Sequence, residues 1–168
     1  MRSGSRWHPC RARTSAPACR LHRCRSSPWR VTQPGPIVTV RALTERRLAR
    51  IARTDPAINA FTDVTAARAL AEAEAVDRAV AASRDPGPRA GVPVAVKNLV
   101  DVAGLPTRAG SKIKRDRAPA SADAVLLARL TAAGAVLTGT LNMGEYAYDF
   151  TGENAHDGAA AIPTTPGG

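Results

Sequence analysis

The chain has 168 residues, a length that suits one domain. Its net charge of +10 is unevenly placed: residues 1–36 hold eight Arg and no Asp, Glu or Lys, whereas residues 37–168 hold 16 Lys and Arg against 14 Asp and Glu. That distribution argues against a uniformly basic nucleic-acid binder, and the lack of any apolar run of roughly 18 residues, or of an uninterrupted one near the start, argues against membrane insertion and secretion.

Residues 1–36 are rich in Arg, Ser, Pro and Cys and show no hydrophobic periodicity, so they are expected to be disordered. All three cysteines lie here, at Cys10, Cys19 and Cys24. His8-x-Cys10 and His22-x-Cys24 match no common zinc spacing. An acid-poor, Arg- and Ser-rich segment also fits an organelle transit peptide, or a weak and salt-sensitive contact to nucleic acid. A GC-rich gene read upstream of its true start gives the same composition. We adopt that last reading, with Val38 or Val40 as the expected beginning. From residue 37 onward there is no cysteine, hence no disulfide framework and no thiol nucleophile. Such a region suits a reducing cytosol, and a cytoplasmic location is expected.

Thr39 precedes a helical pattern whose Val40, Leu43, Leu48 and Ile51 share a face, and Asp55-Pro56 is expected to stop it. Residues 58–64 read as a short extended link. Thr65 is placed to cap a second helix, with Ala66, Ala69, Leu70, Ala73, Val76 and Val80 on one face. Asp85-Pro86-Gly87-Pro88 is a loop. Val92, Val94 and Val96 alternate with smaller residues and predict a strand, with Lys97 at or just past its end. A loop containing Gly104, Pro106 and Gly110 follows. Ser121 or Asp123 is placed to cap a third helix with an apolar face of Val125, Leu126, Leu127 and Leu130, and Gly134 to close it. Ala135 to Leu137 predicts a second strand running on toward Thr140. Strand, helix, strand is a βαβ unit with parallel strands and a right-handed crossover. Function in such sheets gathers beyond the carboxyl ends of the strands, where Lys97 and residues 142–148 both emerge.

Several runs, in this order, resemble the amidase signature family. The first is Asp55-Pro56-Ala57-Ile58-Asn59-Ala60-Phe61. Gly91-Val92-Pro93-Val94-Ala95-Val96-Lys97-Asn98 then resembles the family's lysine motif, and is followed by Asp101 to Thr107 and by Ala109-Gly110-Ser111. Ala133 to Leu137 and Leu141-Asn142-Met143-Gly144-Glu145-Tyr146-Ala147 complete the set, while Thr151-Gly152-Glu153-Asn154-Ala155-His156 is most similar to carboxybiuret hydrolase-type amidases and the A subunits of tRNA-dependent amidotransferases. The resemblance implies an α/β fragment: N-terminal helices and the first strands of a mixed sheet, over residues 37–168. It also implies hydrolysis of a non-peptide C–N amide bond through a Ser–cis-Ser–Lys triad, with Lys97 as the base. For the complete enzyme the resemblance further implies a small amide substrate and no metal or organic cofactor. Assembly is expected through self-association or an amidotransferase-type partner subunit.

A free lysine titrates near about 10.4, so a lysine base must be held partly neutral, and a buried cleft at the strand end is the expected setting for Lys97. Family members continue past Pro-Gly-Gly into a Gly-Ser-Ser-Gly-Gly-Ser loop, whereas this sequence stops at Pro166-Gly167-Gly168, after an Ala-rich stretch from Asp157 to Thr165 that is shorter than usual. The chain is therefore expected to be truncated before both triad serines and inactive alone. Ser111 matches a non-nucleophilic family position and Ser121 sits at a helix start. Asn98 stands where many members carry Asp. Asn142, Met143 and Glu145 are candidates for the substrate mouth, against simple roles in core filling or local pairing. Tyr146, Tyr148 and Phe150 are read as loop packing, and His156 as a surface or hydrogen-bonded loop residue. Taken alone, Lys97 would be an ordinary solvated lysine; the ordered motifs reverse that judgement. The alternative function is a non-catalytic binding module that uses the basic N-terminal segment.

Overall fold

A computed structural model describes residues 38–148 and 151–161. The readings of residues 1–36, of Phe150 and of the Pro166-Gly167-Gly168 end lie outside the described residues.

The first helix, α1, spans Val40–Ile58. Thr39 caps it, its Oγ1 accepting the Ala42 N–H at 3.1 Å. The helix does not stop at Asp55-Pro56. It continues through Pro56 and ends at Asn59, whose left-handed φ of 54° breaks the repeat. A proline in the last turn forfeits a backbone bond, and Asp55 offsets the loss. Its Oδ1 accepts the N–H groups of Ala60 and Phe61 at 2.9 and 3.2 Å, and its carbonyl that of Asn59 at 2.7 Å. The stripe turned inward is Val40, Thr44 and Leu48, at strict i, i+4 spacing, so Leu43 is left half-exposed. Buried Thr44 satisfies its hydroxyl on the Val40 carbonyl at 2.9 Å.

The second half of the expected extended link is a strand, β1, at Phe61–Val64. Helix α2 follows at Ala66–Ala81. Thr65 does not cap it, because its Oγ1 donates instead to the Leu137 carbonyl at 3.0 Å. Ala69, Ala73 and Val76 are buried, and Val80 is exposed. Small side chains let α2 approach the sheet closely enough for Glu72 Oε2 to accept the Leu137 N–H at 2.7 Å.

Strand β2 covers Pro93–Lys97, helix α3 Val125–Ala132 and strand β3 Val136–Leu141. Neither Ser121 nor Asp123 caps α3; Ala124 holds the cap position without a side-chain bond. Asp123 is engaged elsewhere, accepting two bonds from Arg68, at 2.8 and 2.6 Å, and one from the Ala103 N–H at 2.9 Å. A helix of eight residues turns one narrow stripe to the sheet, here fully buried Leu127 with half-buried Leu130, and leaves Val125 and Leu126 in solvent. Gly134 closes α3 as expected. With φ at 88° its N–H donates to Thr131, and the Ala135 N–H to Leu130, which together make a Schellman motif.

The sheet has the order β1-β3-β2. Strand β3 lies in the middle, parallel to β2 across the expected βαβ unit and antiparallel to β1. Each pairing carries one register shift, and a threonine sits at each. Thr138 Oγ1 donates to the Val94 carbonyl at 2.9 Å, and Thr62 Oγ1 meets Thr140 Oγ1 at 2.9 Å. Alternation along β3 sends Val136 toward Ala69 and Ala73, and Leu137 toward Val96, Val102 and Leu127, so a small core forms around each. Among the described residues no helix is long and apolar enough to cross a membrane.

Candidate active site

Lys97 is the last residue of β2 and stands in register with Leu141, the last residue of β3. Two parallel strands therefore end side by side, and the chain leaves both into loops at the same edge. Lys97 is exposed rather than sunk in a cleft. The loops that follow fold around Asn98.

Asn98 is 2% exposed. Its backbone N–H donates to the Leu141 carbonyl at 3.0 Å, its carbonyl accepts the Ala109 N–H at 3.0 Å, and its Oδ1 accepts the Gly110 N–H at 3.0 Å. Its Nδ2 is buried without an acceptor among the described residues. Ala109 and Gly110 both take left-handed φ values, 50° and 68°. At Gly110 the backbone passes so close that a Cβ would lie 2.7 Å from the Met143 carbonyl oxygen.

The loop's other wall is held by Asn154, 5% exposed. Its Nδ2 donates to the carbonyls of Gly110 and Met143 at 2.9 and 2.7 Å, and its Oδ1 accepts the N–H groups of His156 and Asp157 at 2.7 and 3.0 Å. A third tie crosses the sheet. Arg108 donates to Asp63 Oδ1 at 3.1 Å, while Asp63 Oδ2 accepts the Thr140 hydroxyl at 3.0 Å.

The three expected pocket residues separate. Asn142 is half-buried and spends its amide on backbone, donating to the carbonyls of Asn59 and Gly158 and accepting the Met143 N–H. Met143 is buried, at 5% exposure. Glu145 is exposed and lines an open hollow of about 920 Å³ with Tyr146, Tyr148, Glu153 and Asn154. Lys97 does not line that hollow. Glu145 Oε1 lies 3.8 Å from His156 Nε2, a pairing that is ionic only when the imidazole is protonated. Tyr146 sits under the Lys114 ammonium, 5.0 Å from its ring centroid, at a left-handed φ of 52°. Tyr148 does not pack the loop; it is 91% exposed. Ser111 is fully buried with its Oγ accepting the Ile113 N–H at 3.3 Å, and Ser121 is exposed.

Sequence reasoning singled out Lys97 and noticed Asn98, but assigned nothing to Asn154 or Arg108. An asparagine two residues before an N–H it can cap is a recognisable turn signal, and the Asn154–His156 bond is of that kind. The bonds from Asn154 to Gly110 and Met143 cross between loops and leave no local trace.

Residues 42–167 match the family model described as Amidase. Over 129 residues the chain is 54% identical to AtzE, the 1-carboxybiuret hydrolase subunit of Pseudomonas sp. (strain ADP), covering 77% of this chain and 28% of that one. It is 43% identical over 129 residues to the A subunit of glutamyl-tRNA(Gln) amidotransferase of Chloroflexus aurantiacus (strain ATCC 29366 / DSM 635 / J-10-fl), covering 77% and 26%. Among solved structures, one of a vestigial protein complex bearing on the origins of an s-triazine catabolic enzyme matches with a TM-score of 0.71 and 55% identity, over 72% of this chain and 26% of that one. Native peptide amidase from Stenotrophomonas maltophilia matches with a TM-score of 0.64 and 32% identity, over 73% and 26%. The chain thus spans 26–28% of the length of these relatives. The matched stretch takes in both parallel strands, Lys97 and the loops joined by Asn98 and Asn154, and the chain belongs to the amidase signature family.

Proposed function

We propose that Lys97 is the general base of an amide-hydrolysing site of the Ser–cis-Ser–Lys type. The observation that carries this reading is the placement of Lys97 in register with Leu141 at the carboxyl ends of two parallel strands. In the complete enzyme the lysine amine takes the proton of a bridging serine. That serine takes the proton of the nucleophilic serine, which attacks the amide carbon, and backbone N–H groups hold the developing oxyanion. The proton held by the lysine returns through the bridging serine to the departing nitrogen, which leaves as amine or ammonia, and water then hydrolyses the acyl-serine. Small amides of the carboxybiuret kind are the proposed substrates, on the strength of the 54% identity to a carboxybiuret hydrolase subunit. Assembly with a partner protein is proposed on the same ground, since both of these relatives are named as subunits.

Of this triad the 168 residues hold the base, and they contain no Gly-Ser-Ser-Gly-Gly-Ser run. Ser111 is no stand-in, being enclosed in its own turn. We therefore expect no amide turnover from this chain alone, measured as ammonia release from biuret-like compounds and primary carboxamides. Turnover that disappears in Lys97→Ala would refute this expectation. In a longer form that carries the Gly-Ser-Ser-Gly-Gly-Ser loop, Lys97→Ala lowers kcat by about 10³-fold. A full-rate Lys97→Ala enzyme would remove the lysine from the mechanism.

A further inference from the structure

The Lys97 side chain forms no hydrogen bond or ion pair among the described residues, and the backbone that carries it is held at the next residue, Asn98. Asn98 is fixed by three hydrogen bonds, to Leu141, Ala109 and Gly110, and is almost fully buried. The Gly110 carbonyl in turn accepts Asn154 Nδ2, and the same nitrogen reaches the Met143 carbonyl. Asn154 thereby uses all four of its hydrogen-bonding capacities, two donated and two accepted. No other short side chain donates two bonds and accepts two from one planar group. An aspartate of the same size would face two carbonyl oxygens with an oxygen of its own. Gly110 joins the two amides, since its N–H serves Asn98 and its carbonyl serves Asn154, and its positive φ lets both ends point the required way.

We propose that Asn98 and Asn154 are positioning residues for Lys97, forming through Gly110 a buried amide bracket that fixes the turn by which the lysine leaves the sheet. The bracket ties that turn to the segment after β3, so the base and the loop bearing Glu145 keep one geometry. Its relevance to catalysis rests on the reading of Lys97 as the base, but its existence is measured without turnover.

The chain has three lysines, Lys97, Lys112 and Lys114. Reductive ¹³C-dimethylation of the whole chain therefore gives few methyl signals, and Lys97→Arg assigns the one of interest. Spectra are recorded well below the unfolding transition for the parent, Asn98→Ala, Asn154→Asp and, as a matched loss of stability in the distant core, Val76→Ala. The Lys97 signal is expected to move by more than its linewidth in both asparagine variants and to stay in place in Val76→Ala. An unmoved Lys97 signal in the folded asparagine variants, or an equal movement in Val76→Ala, overturns the bracket. Should Asn154→Asp fail to fold, Asn154→Ser, which keeps a short hydroxyl beside Gly110, and Asn98→Ala decide the question. Movement of the signal together with full activity of a Lys97→Ala enzyme would keep the bracket and remove the base.

Discussion

Gly110 concentrates the constraints of the site in one residue. Its φ of 68° and the 2.7 Å approach of the Met143 carbonyl mean that a methyl group there meets both strain and a collision with backbone. Gly110→Ala is expected to cost at least about 2 kcal/mol, seen as a lower midpoint in urea with an unchanged slope. Lys97 is the opposite case. It is exposed and stands at a strand end, so Lys97→Ala should leave the unfolding free energy from urea titration within about 0.5 kcal/mol of the parent's. A large loss would mean that the lysine braces the fold. The contrast shows what one sequence discloses. Lys97 announces itself through an ordered motif and strand alternation, whereas Asn154 acts through loops 44 and 11 residues away, which no local pattern encodes.

Strands β2 and β3 were legible because alternation and bounding turns write them into the sequence, and Gly134 because a left-handed closing residue favours glycine. The caps of α2 and α3 were misread for a common reason. Thr65 and Asp123 are good cap residues drawn away by tertiary partners, the Leu137 carbonyl and Arg68. The second diversion builds a cluster joining α2 to the start of α3. Arg68 holds Asp123 in a two-bond pair and reaches Glu72 at 2.8 Å, and Glu72 grips β3. The Arg68 hydrogen bonds are the main cause that holds the Asp123 carboxyl below the usual carboxylate range; partial burial opposes them and the Ala103 N–H helps. The folded value lies below the unfolded one of about 3.9, so this stabilisation is full above that pH and is lost as pH falls through the folded value. Asp123→Asn is expected to remove about 2 kcal/mol near neutrality and to flatten the acid limb of stability measured by urea titration from pH 6 downward. Equal acid limbs in parent and variant would assign the pH dependence elsewhere. Leu127→Ala, at a fully buried position between α3 and the sheet, should cost about 3 kcal/mol by the same measurement.

Viewed whole, the described residues bury two small cores and leave several large apolar side chains in water, among them Val125 at 68% and Leu126 at 60% on α3. Both outer strands of the three, β1 and β2, have one unpaired edge among the described residues. Leu126→Lys should raise the concentration at which the chain begins to self-associate, read by light scattering, with a urea midpoint close to the parent's. The sheet order has a consequence for the order in which the structure is assembled. The middle strand is the last of the three to be synthesised, so among the described residues neither β1 nor β2 has a strand partner until β3 begins to emerge from the ribosome. The α1–α2 pair, close in sequence, is free to dock early, while every strand pairing must wait for one late segment and close together. Pairing of the three described strands therefore depends on β3, and the place where Lys97 and Leu141 meet exists only once β3 has docked beside β2.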